Sequence, residues 1–272
     1  MFLLSRKFAL QVSFNEEFKL DKATYEYFYR IREYAVGIFE ELDVNRVNFI
    51  LLQLVTGLKY EDYYFPEEGV GKKGGEGSVR KSSPLVRFLL DKACENSRSA
   101  VLLYWGVCVE ADDCSTPAVK LWYETMQKVI LDKIQKTNPN IFAILDGQIK
   151  FRTQMKAINE QLTGPRDAKV KFLESQLKDP YNRIPENPIK RLLPTIENMF
   201  ILNVDKRPFL LEKCHVWKSK TSPCGLWFHT DPAKAQPNYG LMYKNGDDLR
   251  MDGLIMQVVG LLDFLMKEVG VD

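Results

Sequence analysis

The sequence predicts a mainly α fold, an α-solenoid over its longer first part, followed by a small α+β unit. Three observations carry this reading. From about residue 22 to 178, apolar residues keep a helical spacing in one segment after another. Pro180, Pro185, Pro188 and Pro194 then punctuate an extended linker. Beyond it come short β-like runs and one last amphipathic helix. A boundary near residue 185 follows from this change, giving a helical domain over residues 1–185 and an α+β domain over residues 186–272.

The elements follow in order. Tyr34, Ile38, Phe39 and Leu42 form the stripe of a first helix, and Phe49, Leu52, Val55 and Leu58 that of a second, with Asn45 as its expected cap. Residues 66–78 are glycine-rich and polar and read as a loop between helices. Ser83-Pro84 restarts a helix, with proline in a favourable first-turn position, and Leu85, Phe88, Leu89 and Lys92 continue it. Ser99 to Glu110 is apolar nearly all round, as a helix buried on most sides should be. Helices are expected over Val119–Gln135, Ile141–Leu162 and Asp167–Lys178, with Gly164-Pro165 separating the last two. Helix density alone suggests stacked hairpins, since no sequence period is visible. Strands are expected at Met199–Val204, Cys214–Trp217, Leu226–Thr230 and Tyr239–Lys244. The final helix places Met251, Leu254, Ile255, Val258, Leu261, Leu262 and Leu265 on one broad face.

Composition narrows the function classes. The 272 residues are 45% hydrophobic and 27% charged, enough to bury a sizeable core. With 38 basic and 36 acidic residues, the net charge of +2 gives no electrostatic argument for nucleic acid. The longest apolar run, Ala100 to Val109, is half of the roughly twenty residues a membrane span needs. Arg6 and Lys7 interrupt the apolar start, so no cleavable leader is expected. The cysteines (Cys94, Cys108, Cys114, Cys214 and Cys224) form no CxxC pair, which suits a reduced, cytosolic protein. Only His215 and His229 could join them in a zinc site, and their spacing is poor for chelation, so no metal-thiolate site is expected.

Four stretches invite a chemical reading. Residues 69–74 formally match GxGxxG but lack the preceding strand and following helix of a dinucleotide fold; a solvated insertion fits better. Tyr104-Trp105, on an all-apolar helix, reads as core packing rather than as a ligand platform. Trp217-Lys218-Ser219-Lys220-Thr221-Ser222-Pro223 lies between two β-like segments. Its lysines, hydroxyls and turn amides suit a phosphate cradle, and suit a basic surface hairpin as well. Lys244 ends the run Leu241-Met242-Tyr243. A cation on a half-buried strand needs an anion or a carboxylate to offset desolvation, and Asp247, Asp248 and Asp252 are within reach in sequence. A strand-end lysine snorkelling to water is the equally physical alternative.

These residues also carry a resemblance. Lys244-Asn245-Gly246-Asp247-Asp248-Leu249-Arg250-Met251-Asp252 resembles the K-x-G-D-D-L-R-Q-D signature of phosphatidylinositol 3-kinases. Leu51 to Glu61 (LLQLVTGLKYE) is similar to the LLQLVQALKYE stretch of their helical domain. Phe88 to Ser97 followed by Leu103-Tyr104-Trp105 is similar to the class III, vacuolar-sorting type.

The resemblance implies an α-solenoid accessory (PIK) domain followed by part of a kinase N-lobe. It implies transfer of the ATP γ-phosphate to the 3-hydroxyl of phosphatidylinositol, with Mg²⁺. Lys244 would contact the nucleotide phosphates and Asp252 would be the acid beside it. Ser219 and Lys220 would belong to the phosphate loop, Met242 would line the adenine slot and Trp217 would form part of its roof. It further implies a cytoplasmic enzyme, peripheral on endosomal and autophagic membranes, with a pseudokinase-like regulatory subunit and a beclin-like partner. Met251 departs from the usual glutamine, and the phosphate loop is not a close copy. The D-R-H-x-x-N and D-F-G motifs, which hold the family's base and metal ligand, do not occur in these 272 residues, so this stretch alone is expected to be inactive. Two other functions fit: a helical interaction scaffold with a vestigial nucleotide site, or a phosphatidylinositol 4-kinase relative.

Overall fold

The computed structural model describes residues 22–61, 83–178, 214–228 and 239–271. The expected boundary near residue 185, the strand at Met199–Val204, the loop at 66–78 and its GxGxxG match lie outside them. The described residues are mainly helical, with eight α-helices and a three-stranded antiparallel sheet. They divide by packing into two units, Met1–Ile141 and Phe142–Asp272.

In the first unit, helices α1 (Lys22–Glu40), α2 (Val44–Gly57), α3 (Pro84–Glu95), α4 (Ser97–Asp113) and α5 (Pro117–Thr137) follow one another, with a 3₁₀ turn at Leu58–Tyr60. Helix α4 packs on α2, α3 and α5, as its nearly all-apolar sequence predicts. Leu103 and Val107 of α4, Leu51 of α2, Leu89 of α3 and Met126 of α5 are fully buried. Each contributes about 1.5–3 kcal/mol through removal of apolar surface from water. Tyr104 is buried and meets Trp105 edge to face at 5.1 Å, a packing role.

Local chemistry sets the helix starts. Ser83 accepts the Val86 N–H at 3.2 Å, with Pro84 in the first turn, as expected. Asn96 caps α4 through the Ser99 N–H at 3.0 Å. At α2 the expected cap shifts. Asp43, not Asn45, is the cap, and its carboxylate accepts from the N–H groups of Asn45 and Arg46 at 2.9 and 3.2 Å. Asn45 is thereby a first-turn residue whose own amide needs satisfying.

The stripe read for α1 also differs. Tyr34 and Ile38 are exposed, and Tyr29 and Val36, one helical face round, are buried. Polar groups inside this unit are paired. Ser99 donates to Asn48 at 2.8 Å, Trp122 Nε1 donates to the Leu58 carbonyl at 3.0 Å, and buried Glu61 accepts from Arg32 and Ser83.

The second unit takes nearly all of α6 (Pro139–Glu160), then α7 (Arg166–Lys178), β1 (His215–Val216), β2 (Cys224–Phe228), β3 (Tyr239–Tyr243) and α8 (Arg250–Glu268). Gly164, at φ +79°, makes the turn between α6 and α7 in a conformation that favours glycine. The sheet order is β1-β2-β3. Register pairs Val216 with Cys224, Cys224 with Tyr243 and Leu226 with Leu241.

Directly opposed residues share a face, and this face is the inner one. Cys214, Val216, Cys224 and Leu226 form a buried core with Phe151, Met155 and Ile158 of α6, Leu173 of α7 and Leu162 of the turn between those helices, flanked by Leu241 and Tyr243. The last two helices of the helical run therefore share a core with the sheet. Strand β2 begins at Cys224, two residues before the expected start, because Cys224 supplies an inward side chain in step with Leu226. No helix among the described residues is long and apolar enough to cross a membrane.

Candidate functional site

The antiparallel connections bring two segments to one end of the sheet. Strand β1 leaves into the loop 217–223, which returns as β2 at Cys224. Strand β3 pairs its last residue, Tyr243, with Cys224, so Lys244 emerges beside that loop. The three lysines Lys218, Lys220 and Lys244 thus belong to the same sheet end.

The outer face of the sheet is built from the alternate residues. Gly225 pairs with Met242, and Gly240 with Trp227. The Trp217 ring lies directly on Gly225: a Cβ there would sit 2.6 Å from the ring. The Trp227 ring covers Gly240 in the same way, again with 2.6 Å to a notional Cβ. His215 stacks edge on Trp217 with ring centroids 4.9 Å apart. Met242, 50% exposed, stands on this face. The structure thus brings Trp217 and Met242 to one face of the sheet and Ser219, Lys220 and Lys244 to one end of it. Apolar surface beside a cationic rim suits a flat heterocycle carrying phosphates.

The loop is closed by backbone bonds from Trp217 N–H to the Pro223 carbonyl at 3.0 Å and from Ser222 N–H to the Ser219 carbonyl at 3.1 Å. Ser222 adopts φ +46° and is buried. Asn159 of α6 donates to its carbonyl at 2.9 Å, and Lys169 of α7 donates to its hydroxyl at 2.7 Å. Arg166 donates from Nε to the Val216 carbonyl at 3.1 Å, at the start of the loop. Lys218, Ser219 and Lys220 are exposed at its tip.

The Lys244 segment is held differently. Gly246, at φ +78°, makes the turn after β3. Lys244, its side chain one-third exposed at 33%, pairs with Asp247 at 3.6 Å rather than with Asp252. Spacing explains this: three residues across a tight glycine turn bring the two charges together. Asp252 instead lies in the first turn of α8, where a carboxylate complements the helix N-terminus, and it is exposed. Asp248 is engaged by Arg250, which forks onto both carboxylate oxygens at 2.7–3.1 Å. That guanidinium holds the Asp248 carboxyl down at about 2.

Burial acts the other way on the inner face. It pushes the Cys224 thiol up, against a lowering hydrogen bond from Asn159, and it pushes the Tyr243 phenol up, with Arg152 opposing. Neither group is a nucleophile at neutral pH in that state. Among the described residues no three potential metal ligands lie together.

Sequence reading missed Asn159, Arg166 and Lys169, which lie outside any motif. It also missed the two glycines under the tryptophans. A signal for those existed: glycine inside a short strand, with an aromatic on its neighbour, marks a place where a ring lies on the backbone.

Residues 10–143 match the family described as "Phosphoinositide 3-kinase family, accessory domain (PIK domain)". The chain is 28% identical over 250 residues to a phosphatidylinositol 3-kinase, pik3, of Schizosaccharomyces pombe, covering 89% of this chain and 28% of that protein. It is 29% identical over 198 residues to phosphatidylinositol 3-kinase VPS34 of Candida glabrata, covering 70% of this chain and 20% of that protein. The chain thus spans less than a third of the length of these relatives.

Proposed function

We propose that this chain, related to the phosphoinositide 3-kinase family through its helical accessory domain, works as the scaffold and the upper part of the nucleotide cleft of a class III phosphatidylinositol 3-kinase. In this reading residues 1–185 are the helical domain and residues 186–272 part of the kinase N-lobe. ATP is the phosphoryl donor and the 3-hydroxyl of phosphatidylinositol the acceptor. The protein acts in the cytoplasm, peripherally on endosomal and autophagic membranes, with a pseudokinase-like regulatory subunit and a beclin-like subunit.

One observation supports this most: Lys244 leaves the sheet at the end that carries the loop 217–223, with a carboxylate 3.6 Å from its ammonium. Lys244 neutralises phosphate charge, and Asp247 orients it. Ser219 and Lys220 close over the phosphates from the loop. Trp217 and Met242 flank the heterocycle on the outer sheet face. Asp252, at the start of α8, is the second acid on this side of the cleft. Mg²⁺, when bound, would spread the charge developing between the β- and γ-phosphates. Positioning and charge neutralisation are the contributions these residues make; the base that accepts the inositol proton is not among them.

The test is transfer of labelled phosphate from ATP to phosphatidylinositol vesicles by the full-length product of the gene. The expected product is the 3-phosphate, lost in Lys244→Met. A 4-phosphate would point to the phosphatidylinositol 4-kinases, and no ATP affinity at all would favour the interaction scaffold. Residues 1–272 by themselves are expected to transfer nothing, and turnover by them would refute the assignment of roles.

A further inference from the structure

We infer that Asn159, Arg166 and Lys169, carried by α6 and α7, are positioning residues for the phosphate loop, so that the helical pair beneath the sheet sets nucleotide affinity. This inference rests on the nucleotide reading of Lys244 and of the loop 217–223.

Side chains of α6 and α7 hold the loop at both of its ends. At its start, Arg166 holds the Val216 carbonyl at 3.1 Å, and its Nη2 lies 3.0 and 2.9 Å from the His215 ring nitrogens. At its end, Asn159 and Lys169 hold the Ser222 carbonyl and hydroxyl at 2.9 and 2.7 Å. Between these points Lys218, Ser219 and Lys220 are exposed. Among the described residues nothing accepts a hydrogen bond from the N–H groups of Lys218, Ser219, Lys220 or Thr221.

Ser222 shows that the helices impose this shape. At φ +46° it occupies the left-handed region, which a non-glycine residue keeps only where its surroundings over-determine it. The surroundings here are the Asn159 amide, itself buried, and the Lys169 ammonium. The same Asn159 amide lies 3.5 Å from Cys224 Sγ, tying the bend to the first residue of β2. The bend at Ser222 lies at the root of a tip whose Lys218, Ser219 and Lys220 are exposed. Donors held in advance bind an anion without the ordering cost a free loop would meet.

Lys169 is the residue on which to test this, because it is half-exposed and its removal leaves the core intact. Two measurements on the full-length protein separate loop order from nucleotide binding. Amide hydrogen exchange at Trp217 and Ser222, whose N–H groups are bonded within the loop, reads the loop. Steady-state kinetics against ATP reads the consequence. Lys169→Met is expected to speed exchange there and to raise KM for ATP by about tenfold with kcat within roughly twofold, as loss of one charge-assisted hydrogen bond acting on binding predicts. Lys169→Arg should keep KM near the parent value. Asn159→Leu should act in the same direction as Lys169→Met, and the Lys169 variants decide the matter if it folds poorly.

Unchanged loop exchange in Lys169→Met overturns the clamp. Faster exchange with KM unchanged overturns its role in nucleotide binding. A parent protein that exchanges slowly at the loop yet binds no ATP overturns the functional reading instead, and the positioning role with it.

Discussion

The two segments that meet at one end of the sheet are held in opposite ways. The loop 217–223 is tied to two helices by Asn159, Arg166 and Lys169, and its last residues are buried. The segment from Lys244 to Asp252 is held by its own neighbours: Lys244 with Asp247 and Asp248 with Arg250. Helix α8, which follows, buries no residue. The segment with the most recognisable sequence is thus the one with the lightest structural support. The lesson is that a signature records the chemistry of a site, while the residues that fix the site in space are spread over distant helices.

Loss of core packing should weigh most on the second unit. Leu226→Ala removes a fully buried side chain between the sheet and α6/α7 and should cost about 2–5 kcal/mol. Thermal unfolding followed by hydrogen exchange should show the second unit destabilised while α2–α5 keep their protection; equal loss in both units would contradict the division.

Next comes Gly240→Val. Its Cβ would meet the Trp227 ring at 2.6 Å, and displacing the ring should cost about 1–3 kcal/mol. Tryptophan fluorescence should shift as the indole leaves the sheet, and an unchanged spectrum would mean that the ring does not rest on the backbone.

A smaller effect belongs to Asp247→Asn. The pair with Lys244 is partly exposed, so stability should change by less than about 1 kcal/mol. ATP affinity should move more than the melting temperature, since the lysine loses its orienting partner. A large drop in melting temperature with unchanged affinity would make the pair structural.

Smallest is the pH effect at Asp248. Its carboxyl is held at about 2 by Arg250, below its ordinary 3.8. A depressed carboxylate contributes above its unfolded value and loses that contribution as pH falls towards 2. The difference between parent and Asp248→Asn should therefore be constant from neutral pH to about 4 and vanish between there and about 2. A difference that persists below pH 2 would rule out this pair as its source.

Much of the fold was legible because it follows from local rules. Ser83-Pro84 fixed a helix start, Gly164 marked a turn, and the all-apolar run around Leu103 marked the central helix. The strands at His215, Cys224 and Tyr239 were found within two residues of their starts. What escaped was the outcome of competition between local options: Asp43 outcompetes Asn45 as a cap, and Tyr34 and Ile38 stay exposed where Tyr29 and Val36 are buried.

At the site, Lys244 was legible because a cation after an apolar strand demands an explanation. Its partner was not, since Asp247, Asp248 and Asp252 were all in reach and only the turn at Gly246 selects among them. Asn159, Arg166 and Lys169 lay beyond reading, because their distance from the loop in sequence, 50 to 63 residues, carries no periodic signal.

Whether Lys244 lies against the nucleotide phosphates is read by covalent labelling of the full-length protein with an acyl-phosphate derivative of ATP, which acylates the lysine beside the bound phosphates. Modification is expected at Lys244, suppressed by excess ATP, with exposed lysines such as Lys150 and Lys267 unmodified under the same conditions. Modification spread over those surface lysines, with Lys244 untouched and no protection by ATP, would contradict it.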